Sequence, residues 1–162
     1  MTPIPVLPPD EDALAVLNRS VAEAVRFFSH ADPGLSDGYW TAHDALAHIV
    51  FWHCQAVSVA HSLLEGREPA LAEGPRIELN HCACEELSHQ PPAALAAQLA
   101  EMQGQLDAAL RRMTDWNANF PVKVGGRYCS VQDRVAGIEA HIRHHVRELR
   151  RAARRKADQR VR

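Results

Sequence analysis

The segment "SVQDRVAGIEAHIRHHVRELRR", residues 130–151, decides the architecture and holds the chemistry. Val131, Val135, Ile138, Ile142 and Leu149 recur at steps that bring them onto one face of an amphipathic helix. Ser130 and Asp133 form a capping-box-like start. Carried through 138, 142, 145 and 149, the stripe asks for an apolar side chain where His145 stands. His141 lies one turn earlier on the same face. His144, about 100° round from His145, looks outward or sideways. "HIRHH" thus separates into an inward pair and a bystander.

Working outward, three more helical regions emerge. "PPDEDALAVLNRSVAEAVRFF" carries Leu14, Leu17, Val21, Val25 and Phe28 on one stripe, with Asp10 as N-cap and acids in the first turn. "SHADPGLSDG" interrupts it. "TAHDALAHIVFWHCQAVSVAHSLLEG" starts on the capping pair Thr41 and Asp44, runs a stripe through Ile49, Trp52, Ala56, Val59 and Leu63, and ends at Gly66. "REPALAEGPR" reads as a loop. The third region, "IELNHCACEELSHQPPAALAAQLAEMQGQLDAALRRM", has its clearest periodicity in Leu95, Leu99, Met102, Leu106, Leu110 and Met113. Pro91–Pro92 must begin this helix or kink a longer one. "TDWNANFPVKVGGRYCS" is a connection with room for a small hairpin about Gly125–Gly126. Four amphipathic helices without a strand series predict an all-α four-helix bundle.

The totals agree with one domain over residues 1–162, its core spanning about 10–153. At 46% hydrophobic and 23% charged, the 162 residues describe a soluble globular chain. No apolar run reaches the roughly 18–20 residues needed to cross a bilayer. "MTPIPVLPPDED" has neither a basic n-region nor an apolar h-region, so no signal peptide is expected and the cytoplasm is the default location. Cys54, Cys82, Cys84 and Cys129 form no disulfide framework and are expected to be reduced. The net charge of −2 conceals a basic tail: residues 147–162 hold eight of the 18 Lys and Arg. Such a tail, 150–162 in its outermost part, can bind nucleic acid. The body is acidic and lacks aromatic stacking motifs, so the tail reads as a solvated helix end and nucleic acid is not an expected partner.

A histidine pair at i and i+4 gives two metal ligands from one helix, and a third must come from elsewhere. His48 borders the buried stripe of the second helix, one turn before Trp52. His43 and His53 lie about 140° round from it, and His61 is near the helix end. His48 is therefore the best third donor. Three neutral imidazoles would leave a divalent metal with open positions for Lewis-acid chemistry. Zinc and nickel suit imidazole, with iron or manganese as further candidates. Spacing alone leaves the other reading open, in which these are core-edge histidines bonded to backbone or carboxylates. "NHCACEELSH", with His81, Cys82, Cys84, Glu85 and His89, lacks zinc-site spacing and a second half, and its cysteines read as small semi-buried residues.

"WTAHDALAHIVFWH", residues 40–53, followed by "HIRHHVRELRRA", residues 141–152, resembles the DinB-like (YfiT-like) bundles. Trp40, His48, His141 and His145 match that family's tryptophan, helix-two histidine and helix-four histidine pair in order and spacing. The beginning of the third helical region also looks like the branch that includes colibactin self-protection proteins. The resemblance covers residues 12–153. It implies an up-and-down-type bundle with unusual connectivity, a homodimer, and a divalent metal on His48, His141 and His145. Relatives include thiol-dependent transferases and isomerases working with bacillithiol or mycothiol, and a hydrolase of a reactive cyclopropane toxin. Where many members carry Arg-Gly-Gln after the last ligand, this chain has "VREL".

The leading expectation is a metal-dependent enzyme of stress or detoxification type. It would activate a low-molecular-weight thiol or water against a small electrophilic substrate. Asp44, one turn before His48, is the candidate for orienting its ring. The alternative is a non-catalytic bundle that sequesters a small molecule.

Overall fold

The computed structural model describes residues 5–160. The first four residues of the opening segment and the last two of the basic tail lie outside the described residues. Five helices follow in order: α1 (Glu11–His30), α2 (Ala42–Leu64), α3 (Arg76–Leu87), α4 (Pro92–Arg112) and α5 (Val131–Arg160). Four of them are the expected bundle helices. The fifth arises because the proline pair begins a helix instead of kinking one: Pro91 is the N-cap of α4 and Pro92 its first residue. A missing N–H is harmless there, since the first turn has no acceptor for it. The sequence before it closes as the separate, mostly exposed α3.

The other starts are set by side-chain caps. Asp10 Oδ1 accepts from Ala13 N at 2.9 Å, Thr41 Oγ1 from Asp44 N at 3.0 Å and Ser130 Oγ from Asp133 N at 3.1 Å. Each satisfies one otherwise orphaned N–H of a first turn. Gly66, at φ +66°, takes the left-handed position just beyond the end of α2.

α1 and α2 follow each other in sequence without packing broadly, and so do α4 and α5. α4 packs broadly on both α1 and α2, and α5 packs on α1 and along a narrower seam on α2. α1 and α2 barely meet, so the circuit around the bundle is α1–α4–α2–α5. This is the unusual connectivity implied by the resemblance. Its consequence is that α2 and α5, far apart in sequence, share a seam. α3 leans on α2 alone.

The core is filled by Leu14, Leu17 and Phe28 from α1, Leu46 and Ile49 from α2, Leu95, Leu99, Leu106 and Leu110 from α4, and Ile142 from α5. Trp116 and Phe120 close one end from the connection before α5. α2 departs from the single stripe read in its sequence: Ala45, Leu46, Val50 and Ala60 are buried, whereas Trp52 and Leu63 are only half-buried. α4 covers it broadly, with α3 and α5 on other sides, so few of its residues are exposed. The hairpin expected at Gly125–Gly126 is a turn without a strand ladder. Gly126 N donates to Lys123 O, Gly125 has φ +69°, and one antiparallel bridge joins Asn119 and Ser130. The third turn residue needs a positive φ, which glycine adopts freely.

Candidate metal centre

The α2–α5 seam brings together His48, His141 and His145. His141 Nε2 lies 2.8 Å from His48 Nε2 and 3.2 Å from His145 Nε2. One nitrogen from each ring falls within 4.8 Å of the others. His48 and His145 are buried and His141 is half-buried. The His48 and His141 rings stack with an interplanar angle of 15°, and His145 meets both edge-on. Trp40, from the loop before α2, packs edge-on against His48 and His145, with centroids at 4.3 and 5.8 Å. It walls the site on that side.

The three rings are neutral at physiological pH. Burial, then the neighbouring His141, His145 and Arg76, holds His48 down at about 3. Burial first, then Arg76, His144 and His53, lowers His141 to about 4. Burial first, then His141 and His144, lowers His145 to about 4, against a small opposing pull from Asp37.

This arrangement fits a divalent cation. A neutral imidazole has one N–H and one bare nitrogen. His141 Nε2 faces two other ring nitrogens with a single proton or a single lone pair to offer, so hydrogen bonds cannot satisfy all three. A cation accepts every lone pair at once. Nitrogens bound at 2.0–2.1 Å to a tetrahedral ion stand about 3.3 Å apart, close to the 2.8 and 3.2 Å that separate His141 Nε2 from the other two.

Asp44 does not orient His48. His48 Nδ1 is buried without a hydrogen-bond partner among the described residues, and so is His145 Nδ1. Asp44 instead faces α3, where its backbone carbonyl accepts from Cys84 Sγ at 3.5 Å. Burial and then the Asp44 charge push the Cys84 thiol up to about 11, unsuited to a nucleophile. Packing against Trp40, rather than a carboxylate, fixes the two rings.

The remaining histidines have other occupations. His43 Nε2 donates to Gln90 O at 2.8 Å, His144 is exposed, and exposed His81 pairs with Glu85. His53 is as buried as His48, which its angular distance from the stripe did not suggest. Cys82 is exposed and Cys84 half-buried, so only the latter is semi-buried as expected. Two groups near the triad escaped the sequence reading, Arg76 at the start of α3 and Asp37 in the loop before α2. Their influence comes from tertiary placement, and neither stands in a local motif.

A larger groove of about 450 Å³ between α1 and α5 is lined by arginines and shares no residue with the triad. A cleft of about 90 Å³ includes His141 in its wall, together with Trp52, Arg76 and Arg134. Of the three histidines only His141 lines this cleft.

The DinB superfamily model matches residues 8–149, and the chain belongs to that superfamily. No curated protein matches the sequence significantly. Among solved structures, the fold is similar to YfiT from Bacillus subtilis, described as "a probable metal-dependent hydrolase with an unusual four-helix bundle topology". That likeness has TM-score 0.72 and 21% identity, over 96% of each chain. An uncharacterised Escherichia coli UTI89 protein aligns at TM-score 0.71 and 13% identity, over 94% of this chain and 96% of that one. A mycothiol-dependent maleylpyruvate isomerase aligns at TM-score 0.69 and 19% identity over 86% of this chain. The chain spans 60% of that isomerase.

Proposed function

We propose that His48, His141 and His145 hold a divalent metal through Nε2, and that the chain is a metal-dependent enzyme acting on a small electrophilic molecule. The observation that carries this is the meeting of three neutral imidazole nitrogens from two helices. A bound ion supplies Lewis acidity, lowering the pKa of water or of a low-molecular-weight thiol so that it attacks at neutral pH. Zinc and nickel suit the all-imidazole set, with iron or manganese next. The protein's own contribution is to keep the rings deprotonated by burial, to fix two of them against Trp40, and to leave His141 facing the cleft.

The hydrolase and mycothiol-dependent relatives support water or thiol as the attacking group. Placement in the colibactin self-protection branch rests on the sequence at the start of the third helical region. The same reading includes a single domain, a homodimer and a cytoplasmic location. Among the described residues no helix is long and apolar enough to cross a membrane.

Metal analysis of protein purified without a nickel column tests the proposal. One tightly held metal per chain, lost in a His48→Ala/His145→Ala variant that still folds, is the expected result. Substoichiometric metal unchanged in that variant contradicts it. Small-molecule binding indifferent to chelators would favour the sequestering bundle instead.

A further inference from the structure

The cleft beside His141 carries two positive charges that the protein leaves unneutralised. Its walls are Trp52 and Ala56 of α2, Arg76 of α3, Val122 from the connection, and Arg134, Ile138 and His141 of α5. Among the described residues neither Arg76 nor Arg134 has a carboxylate within 4.0 Å, a state they share with Arg154 and Arg155 on α5 but not with Arg143, Arg147, Arg150 and Arg151. Both cleft guanidiniums are held by uncharged partners. The Arg76 guanidinium carbon lies 4.8 Å from the centroid of Trp52, whose own ring is fixed by donating Nε1–H to Asn80 Oδ1 at 2.7 Å. Arg134 donates Nε–H and Nη2–H to Phe120 O at 3.2 and 3.1 Å, leaving Nη1 uncommitted. Two oriented guanidiniums in one small hollow are the arrangement that receives a planar anion. The space of about 90 Å³ matches roughly three non-hydrogen atoms at liquid density, the size of a carboxylate group.

We infer that this cleft is the anion subsite of the enzyme, taking the carboxylate of a small substrate between Arg76 and Arg134 and holding the substrate's body beside His141. The assignment names the substrate class of the metal-dependent reading and rests on it for the reaction, though not for the binding. Trp52, Val122 and Ile138 add an apolar wall, so a carboxylate on an apolar body fits better than a fully polar one.

Benzoate is the probe, with benzyl alcohol as its uncharged counterpart, titrated calorimetrically into chelator-treated protein so that no metal can ligate the carboxylate. Benzoate binds and benzyl alcohol does not. Arg76→Gln weakens benzoate about tenfold, and adding Arg134→Gln weakens it further. Arg134 also braces Phe120 O, so the exposed Arg76→Gln variant decides the matter if the double variant does not fold. Benzoate failing to bind, or binding equally to Arg76→Gln, overturns the inference. Zinc stoichiometry is measured on the same proteins. Wild-type levels in Arg76→Gln separate loss of the anion subsite from any failure of the three-histidine site.

Discussion

His48 and His53 stand five residues apart on α2, equally buried, and have opposite surroundings. His53 faces the α2–α4–α1 side. Its Nε2–H donates to Gln103 Oε1 at 2.7 Å, Gln103 Nε2 donates to Asn18 Oδ1 at 2.6 Å, and Asn18 Nδ2 donates to Asp107 at 2.8 Å. Asp107 in turn accepts from Arg111 at the surface. That chain runs from the core to solvent with every step matched. His48 faces the α2–α5 side, where it finds two more imidazoles and, among the described residues, no acceptor for Nδ1. Burial is therefore common to both, and what separates a structural histidine from a ligand is whether the protein alone can satisfy it.

The largest contrast between the two seams is in metal binding. Replacing His48 or His145 by Ala is expected to abolish stoichiometric metal, read by competition against a chromophoric chelator. Gln103→Leu, on the other seam, leaves the stoichiometry intact. Equal loss from both would erase the distinction drawn here.

Next comes pH. The triad and His53 are all held below the ordinary histidine range, chiefly by burial. The unfolded chain takes up their protons near pH 6.5, before the folded one does. Metal-free protein should therefore be most stable above about pH 6.5 and lose several kcal/mol as pH falls toward about 4. Denaturant melts across that window check the sign. Stability that rises on acidification would contradict the buried, neutral triad.

A smaller effect is expected for Gln103→Leu on stability. It strands His53 Nε2–H and Asn18 Oδ1, at about 3 kcal/mol in all. For a chain of this size that is a drop in Tm of roughly 10 °C. Smallest are Asp44→Asn and His144→Ala, both expected to leave zinc affinity within about threefold of wild type. A larger loss in Asp44→Asn would mean that its carboxylate reaches His48 once metal is present.

Much of the triad was legible in the sequence because helical periodicity is a strong local signal. His145 occupies a stripe position, His141 precedes it by one turn, and His48 borders a stripe in its own helix. The caps at Asp10, Thr41 and Ser130 and the helix boundary at Pro92 were legible for the same reason. His53 was not, because a helix covered on nearly all sides has no exposed face to which an off-stripe residue can be assigned. Asp44 makes no hydrogen bond to His48, because a one-turn spacing permits a contact without requiring it. Arg76 and Arg134 carry no pattern in the sequence. The packing of α3 against α2 brings Arg76 to the hollow, whereas Arg134 stands two turns before His141 on the same face of α5.

Anomalous scattering from crystals grown with zinc tests the central claim most directly. The account predicts one strong peak within bonding distance of Nε2 of His48, His141 and His145. A density map with no peak there, or with zinc only at surface pairs such as His81 and Glu85, would contradict it.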